Sequence, residues 1–262
     1  MKIGVQLYTL HDYCKNLKDF SETLKRVADM GFSAVQVSGV CEFNAEWLNE
    51  ELKMNGLVAP LTHYPYQRIL NETDRVIAEH EVFGCNNIGL GCMPGIFDGS
   101  PEKRVQAVLD FARDVKPAAQ KIAAAGKYFM YHNHHLEYET TVGGKNTMVY
   151  LKDAFAPEEM GFTLDTYWVK AGGADPVEEI NNLAGRLPCV HFKDMKVEED
   201  GKFHYTWCGD GILDFEAIGD ALVKAGTEYV FIEQDSTFPD EPNPFVCLAN
   251  SRGYLKSLGF EF

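Results

Sequence analysis

Residues 161–194 read GFTLDTYWVKAGGADPVEEINNLAGRLPCVHFKD and contain one complete strand–helix–strand pattern. The first apolar run ends in Asp165, and the second ends at Phe192. Between them, Asp175 followed by Pro176 is typical of a helix N-terminus, where aspartate caps the first turn and proline occupies its first position. The segment therefore predicts two parallel strands joined by a helix.

The same pattern recurs from one end of the chain to the other, with a strand beginning about every thirty residues. Eight such units predict a (β/α)8 TIM barrel, a single α/β domain spanning residues 1–262. An open doubly wound sheet is the rival, but it needs a glycine-rich phosphate loop after the first strand, and Gln6–Leu10 occupy that place. The predicted strands are Ile3–Leu7, Ala34–Val37, Leu57–Thr62, Asn87–Leu90, Tyr128–Asn133, Gly161–Asp165, Cys189–Phe192 and Tyr229–Glu233.

The composition is that of an acidic globular protein. The 262 residues carry a formal net charge of −15, with 45% apolar and 24% charged residues. Nucleic acid and anionic membrane surfaces both require a basic face, so neither is an expected partner. The charge runs at residues 198–200 and 240–241 are interpreted as solvated loops.

The seven cysteines are scattered and form no CxxC pair, so the sequence predicts neither a disulfide framework nor a thiolate zinc site. The chain enters strand-like sequence at Ile3 without a basic and apolar leader, and it has no apolar stretch long enough to cross a membrane. We therefore expect a cytoplasmic protein.

Polar side chains gather at the predicted carboxyl ends of the strands, where barrel enzymes form their active sites. Each of the last four strands ends in, or runs into, an acidic or imidazole group. Carboxylates that converge near the barrel axis need a cation to offset their repulsion, and mixed oxygen and nitrogen ligands suit Mn²⁺, Mg²⁺, Co²⁺ or Zn²⁺. The predicted metal ligands are Glu137, Asp165, His191 and Glu233.

Taken singly, each of these residues has a structural explanation as a buried histidine, a helix cap or a surface acid. Their joint occurrence at successive strand ends favours the metal site. On strand five the ligand is left open, because four side chains compete for it: His132, His134, His135 and Glu137.

Further residues at the same end of the barrel are candidates for contacts with a substrate. Lys193 lies two residues after His191, so the alternation of a strand places both side chains on the cleft side. Lys193 can hold a substrate oxygen or act as acid or base, and pairing with a carboxylate explains it equally well. Stacking on a sugar ring explains the aromatic residues, although loop packing does so too. The predicted substrate-binding residues are Gln6, Tyr8, His63, Trp168, His204 and Trp207.

Several motifs on predicted strands five to eight match, in the same order, the motifs of a known group of barrels. They are Tyr131-His132-Asn133-His134 with Glu137-Tyr138, Leu164–Trp168, His191–Asp194, Gly209-Asp210-Gly211 with Asp214-Phe215, and Ile232-Glu233. The sequence resembles, over nearly its whole length, the xylose-isomerase-like TIM barrels, a group described as sugar phosphate isomerases/epimerases. That scaffold hosts ketose epimerases, inosose dehydratases, dehydroshikimate dehydratases and enzymes acting on 3-keto-glycosides.

The resemblance implies a divalent metal held by Glu, Asp, His and Glu from strands five to eight, which matches the set given above. In the ketose 3-epimerase branch, the two glutamates also exchange the substrate proton on opposite faces. Glu233 matches the strand-eight glutamate, whereas strand five carries His132-Asn133-His134, with Glu137 further on. The YHNH form also resembles barrels that act on oxidised glycosides.

These residues predict a metal-dependent sugar isomerase or epimerase that removes a proton next to a sugar carbonyl through a metal-stabilised enediolate. Glu233 or Glu137 is the expected base, and His132, His134 or Lys193 is expected to move protons at the substrate oxygens. One alternative is a metal-dependent lyase that acts on 3-keto-glycosides or inososes by β-elimination. Another is a non-catalytic sugar-binding barrel.

The expected partner is a small carbohydrate. We expect a neutral sugar, because no glycine-rich loop followed by a basic residue marks a phosphate pocket. Barrels of this group often form dimers, so the resemblance is consistent with a homodimer.

Overall fold

A computed structural model describes residues 1–139, 141–198, 201–236 and 243–262, so residues 199–200 and 240–241 of the two charge runs lie outside the described part. Within that part, eight parallel strands close into a barrel in chain order, and the last strand pairs again with the first. The predicted TIM barrel is confirmed, and each predicted strand end agrees with the observed one to within one residue. The strands are β1 Lys2–Gln6, β2 Ala34–Val37, β3 Val58–His63, β4 Asn87–Leu90, β5 Tyr128–His132, β6 Met160–Asp165, β7 Cys189–Phe192 and β8 Tyr229–Ile232.

Helices surround the barrel and connect its strands. A 3₁₀ helix over Leu7–Tyr13 follows β1 directly. At the N-terminus of helix Pro176–Asn182, the Asp175 side chain accepts hydrogen bonds from two backbone amides, as the Asp-Pro pair predicts. The α-helices within the described residues are α1 Leu17–Asp29, α2 Ala45–Met54, α3 Tyr66–Asn71, α4 Thr73–Val82, α5 Pro101–Ala124, α6 Leu136–Glu139, α7 Thr147–Ala154, α8 Thr166–Ala171, α9 Pro176–Asn182, α10 Phe215–Ala225 and α11 Pro244–Ser257.

The core has two parts, because the strands bury side chains on both faces. A large cluster fills the space between the outer face of the strands and the helices. A smaller cluster fills the barrel interior, where side chains from different strands form one layer. That inner layer consists of Ala34, Leu61, Met130, Cys189 and Phe231.

A β-hairpin follows β7 and stands over the carboxyl end of the barrel. Its strands, Asp194–Val197 and Phe203–Thr206, pair antiparallel. The Asp194 carboxylate anchors the hairpin, because its two oxygens accept backbone N–H groups from Met195, Gly209, Gly211 and Leu213 at 2.7 to 3.1 Å. A Cβ atom at Gly211 would collide with Asp194 Oδ1, so this approach requires glycine.

The described chain is held together by packing and hydrogen bonds. All seven cysteines are free thiols, and five of them are buried. Among the described residues, no helix combines the length and the apolar character needed to cross a membrane.

Candidate metal centre

The layer above the inner core is polar. Because side chains alternate along a strand, the residue two positions after an inner-layer residue faces the same interior. Asp165 joins this layer from β6, where it pairs in register with His191 of β7. The strand positions two residues beyond Ala34, Leu61, Met130, Cys189 and Phe231 are held by Gln36, His63, His132, His191 and Glu233.

Four side chains of this layer converge on one point, and all four are buried. Nδ1 of His191 lies 2.7 Å from Oε2 of Glu233 and 3.7 Å from Oδ2 of Asp165. Nε2 of His132 lies 3.6 Å from the same Asp165 oxygen and 4.0 Å from Glu233 Oε2. All four ligand atoms lie within 4.8 Å of one another. Nitrogen and oxygen ligands 2.0–2.2 Å from a common ion lie about 3 to 4 Å apart, so the cluster has the size of a site for one divalent cation.

These four atoms also lack hydrogen-bond partners. Nε2 of His132, Oδ2 of Asp165, Nδ1 of His191 and Oε2 of Glu233 are buried without a hydrogen bond to any described residue. The His191–Glu233 pair is close, but it does not meet hydrogen-bond geometry. Since an unsatisfied buried polar group costs about 1–3 kcal/mol, four such atoms facing one point fit the donor set of a metal ion.

Hydrogen bonds on the far side of each imidazole fix its orientation. Nε2 of His191 lies 2.6 Å from the Gln36 side-chain oxygen, and Nδ1 of His132 lies 3.1 Å from the Gly91 carbonyl. Both acceptors require the facing nitrogen to carry the hydrogen, so in the neutral form of each ring the other nitrogen presents its lone pair to the cluster. The Asp165 carboxylate is fixed in the same way. Its Oδ1 accepts a hydrogen bond from the Trp168 amide and caps α8, which leaves Oδ2 for the cluster.

The charges of the cluster offset one another strongly. Burial alone would raise the pKa of the Asp165 carboxyl, but the Lys193 charge and the two imidazoles outweigh burial and hold that pKa well below its usual range. Burial alone would lower the pKa of His191, yet Glu233 and Asp165 raise it to about 9. The site is therefore one in which positive charge is strongly favoured.

Lys193 lies beside the cluster and is almost completely buried. Its Nζ is 2.6 Å from Asp235 Oδ1, and it lies over the rings of Trp168 and Tyr205 at 4.7 and 4.8 Å. Although burial lowers the pKa of a lysine, the Glu233 and Asp165 carboxylates raise the pKa of Lys193 above its ordinary value. Of the roles considered from the sequence, this environment favours a fixed cation that donates hydrogen bonds over a base.

Glu137, predicted as the strand-five ligand and a candidate base, is not brought into the cluster. Its two oxygens accept hydrogen bonds from the Tyr131 hydroxyl at 2.6 Å and from the His134 backbone amide at 3.0 Å. Burial raises its pKa to about 7. The chain turns into α6 after β5, which directs Glu137 back against Tyr131, and His132 occupies the strand-five position instead.

A cleft of about 370 Å³ opens above the cluster. Its walls contain several of the predicted substrate-binding side chains, and His134 lies there too. Burial, the neighbouring His132 imidazole and the Lys193 ammonium lower the pKa of His134 to about 2. His204 and Trp207 are not among the described residues that line the cleft, and His204 lies on the hairpin, 2.8 Å from a Glu198 oxygen. The predicted residues that line the cleft are Gln6, Tyr8, His63, His132, His134, Trp168 and Glu233.

Sequence reasoning missed three residues that support the site. Gln36 orients His191, Asp235 pairs with Lys193, and Tyr205 packs on the Lys193 ammonium. Asp235 had a usable signal, because it lies two residues after Glu233, as Lys193 lies two residues after His191. Tyr205 had none, since the hairpin that carries it folds back from outside the barrel.

A closed parallel barrel with a four-residue candidate metal site at the carboxyl ends of its strands defines the class of this protein. The family model described as xylose isomerase-like TIM barrel matches residues 24–245, and the chain belongs to that family.

Relatives found by sequence include two inosose dehydratases. The enzyme of Lacticaseibacillus casei is 24% identical over 174 residues, which cover 61% of this chain and 57% of that relative. The chain thus spans less than two thirds of the length of that relative. The enzyme of Clostridium perfringens (strain 13 / Type A) is 24% identical over 274 residues, covering 90% of this chain and 89% of the relative.

Solved structures with the same fold include a sugar phosphate isomerase/epimerase from Parabacteroides distasonis ATCC 8503, with a TM-score of 0.77, 22% identity and 97% of each chain covered. An L-ribulose 3-epimerase has a TM-score of 0.73 and 16% identity, covering 98% of this chain and 94% of the other. The IOLI protein with a binding zinc atom has a TM-score of 0.70 and 14% identity, with 98% of each chain covered. At these identities the structures establish the fold alone.

Proposed function

We propose that the protein is a metal-dependent lyase that removes the proton next to the ketone of a keto-sugar or keto-cyclitol and expels the oxygen substituent on the following carbon. The observation that carries this choice is the position of Glu137. An epimerase of the two-glutamate type needs carboxylates on both faces of the substrate, and Glu137 is engaged by Tyr131 and the His134 amide away from the cluster. Glu233 is left as the carboxylate base beside the cleft.

The residues that would hold the metal are His132, Asp165, His191 and Glu233. A divalent cation bound there supplies Lewis-acid stabilisation for the negative charge that develops on the substrate carbonyl oxygen. Because two of the four donors are imidazole nitrogens, we place Mn²⁺, Co²⁺ and Zn²⁺ ahead of Mg²⁺, which prefers oxygen ligands.

Glu233 and Lys193 have different roles in the proposed reaction. Glu233, whose pKa is lowered because the His191 and Lys193 charges outweigh burial, is ionised at neutral pH and takes the proton from carbon. Lys193 donates a hydrogen bond to substrate oxygen, since its ammonium is fixed by Asp235. The bond to the departing oxygen breaks with its electron pair, a carbon–carbon double bond forms, and the proton on Glu233 passes to that oxygen, which leaves as water or an alcohol.

The dehydratase names of the sequence relatives support this proposal. The second candidate is an isomerase or epimerase, which shares the first half of the reaction and needs a proton donor across the substrate from Glu233. His134 lines the cleft with a buried, unpartnered Nδ1 atom and is the side chain available for that role. A pKa of about 2 leaves it almost entirely unprotonated at neutral pH, which disfavours this reaction.

The test is incubation of the Mn²⁺-loaded protein in D₂O with scyllo-inosose, with ketohexoses and with keto-glycosides. Elimination gives a conjugated enone, detected by its ultraviolet absorbance, together with released water or alcohol. Formation of the epimer or isomer with deuterium at the reacting carbon, and without elimination, establishes the isomerase or epimerase instead. Sugar binding with neither outcome leaves the non-catalytic barrel and overturns both enzymatic proposals.

A further inference from the structure

Two cysteines lie on neighbouring segments at the barrel mouth. Cys14 ends the 3₁₀ helix that follows β1, and Cys41 lies between β2 and α2. The backbone amide of Cys41 donates a hydrogen bond to the Cys14 carbonyl oxygen at 2.8 Å. Residues joined in this way have their Cα atoms roughly 5 to 6 Å apart, inside the range of about 4.4 to 6.8 Å that a disulfide spans. The spacing of the main chain therefore permits a bridge between them.

The two thiols also share their surroundings. Cys14 is completely buried in the large core cluster, and the half-buried Cys41 packs against that cluster. Burial is the main cause that raises the pKa of both thiols, and the nearby Asp19 carboxylate on α1 raises both further. A charge on Cys41 also raises the pKa of Cys14. Side chains that share a neighbour and influence each other point into the same space, as a disulfide requires.

The segments that carry these cysteines meet at one wall of the cleft. Tyr8 of the 3₁₀ helix and Gly39 after β2 both line the cleft. A Cβ atom at Gly39 would collide with the Tyr8 ring, so the two segments are in direct contact there. The candidate metal ligands come from the other half of the barrel. A bridge would therefore fasten this wall and leave the metal centre as it is.

We propose that Cys14 and Cys41 form a site of reversible oxidation, at which a disulfide joins the segment after β1 to the segment after β2. The oxidant is a small-molecule disulfide of the glutathione type. In a reducing compartment both cysteines remain thiols. This site is independent of the proposed elimination.

The exchange takes place in two steps. The thiolate of the more accessible Cys41 attacks one sulfur of the oxidant, forms a mixed disulfide and releases the first molecule of reduced thiol. The Cys14 thiolate then attacks the Cys41 sulfur, forms the bridge and releases the second molecule. Each cysteine gives up one proton, and the two electrons reduce the oxidant to two thiols. Because burial keeps both groups protonated at neutral pH, the exchange is expected to be slow.

The test is incubation of the Mn²⁺-loaded protein with glutathione disulfide, followed by alkylation of the remaining thiols, digestion and mass spectrometry without reduction. We expect the peptides that contain Cys14 and Cys41 to be joined and the other cysteines to remain thiols. The bridge closes a segment of roughly 27 residues, so it is expected to raise Tm by about 5 °C or more by restricting the unfolded chain. Mn²⁺ affinity is expected to stay unchanged.

Single variants separate the two steps. Cys14→Ser is expected to stop at a glutathione adduct on Cys41, because no second thiol resolves it. Cys41→Ser is expected to carry no adduct on Cys14, which is completely buried. Cys92→Ser removes another half-buried thiol and is the matched control, expected to form the bridge as fully as the unchanged protein.

Absence of the joined peptide after prolonged incubation would overturn the proposal, and so would a bridge that lowers Tm, because the folded chain would then not accommodate it. Peptide mapping of the unchanged protein decides the matter even where a serine variant fails to fold. No step of this test uses a sugar. Failure of the proposed elimination would therefore leave its outcome unaffected.

Discussion

His191 Nδ1 and Glu233 Oε2 lie 2.7 Å apart on adjacent strands of the barrel, and neither atom makes a hydrogen bond. The Gln36 side chain holds the opposite nitrogen of the His191 ring, so the ring cannot turn away from the carboxylate without losing that bond. A nitrogen and a carboxylate oxygen held this close require positive charge between or beside them, either a proton on Nδ1 or a bound cation. This relationship defines the point at which a cation is expected.

The first prediction tests whether His132 or Glu137 is the strand-five ligand. His132→Ala removes one of four donors and is expected to weaken Mn²⁺ binding by more than about 100-fold, beyond the cost of losing an outer hydrogen-bond partner. Glu137→Gln is expected to retain the affinity, because Glu137 lies outside the cluster. Metal titration of both variants checks this. The reverse result would restore Glu137 as the ligand.

Gln36 is predicted to control metal affinity without touching the metal. Gln36→Leu removes the acceptor for His191 Nε2 and is expected to weaken Mn²⁺ binding about 10- to 100-fold. Gln36→Glu keeps an oxygen at that position and is expected to restore most of the affinity. Isothermal titration of the pair makes the comparison, and equal losses in both variants would contradict an orienting role.

Lys193 is predicted to oppose metal binding while supporting the reaction. Its ammonium lies 3.7 Å from Asp165 Oδ2 and 4.0 Å from Glu233 Oε2. A charge at about 4 Å contributes about 1 to 4 kcal/mol, so Lys193→Met is expected to tighten Mn²⁺ binding at least about fivefold. Loss of a donor to the developing oxyanion is expected to slow elimination about 100-fold or more.

The neighbouring lysine of the hairpin provides the control for that prediction. Lys196 is exposed and pairs with Asp210, so Lys196→Met is expected to change neither metal affinity nor rate. Weaker Mn²⁺ binding by the Lys193→Met protein would show that Lys193 holds the site together instead of competing with the metal.

His80 is predicted to make the fold sensitive to mild acid. It lies buried between Thr62 and the Val76 carbonyl, and burial lowers its pKa to about 4. The unfolded chain binds a proton near pH 6.5 and the folded protein does not, so stability falls as the pH drops from about 6.5 to about 4. The loss is expected to be about 3 kcal/mol.

Urea denaturation of metal-free protein at pH 7.5 and pH 4.5 measures this loss, with His80→Gln as the comparison. The variant is expected to be less stable at pH 7.5 but to lose less stability on acidification. If both proteins lose the same free energy between the two pH values, His80 is not the group responsible.

Much of the barrel could be predicted because its strands follow simple rules. Apolar, β-branched runs bounded by glycines and caps marked each strand, and Asp165 and His191 are the final or near-final residues of such runs. Their side-chain direction follows from strand alternation alone. The same reasoning placed Glu233 one residue after β8, where the chain is still extended enough to keep it in the cleft.

Glu137 shows where that reasoning ends. It lies five residues after His132, beyond a turn and inside α6, so its direction depends on packing against Tyr131, which no local pattern reveals. Tyr205 reaches Lys193 only because the hairpin folds over the barrel mouth. Long-range contacts of this kind are set by tertiary structure, and they decided which strand-five residue entered the cluster.

The four amide hydrogen bonds to Asp194 hold the base of the hairpin at the barrel mouth independently of its tip. They clamp both ends of the segment that leaves β7 and returns toward α10, and none of them involves the described residues toward its tip, 196–198 and 201–208. The tip can therefore be lengthened, shortened or exchanged while the base keeps its shape. New specificity could be grafted onto this protein at that tip without rebuilding the centre beneath it.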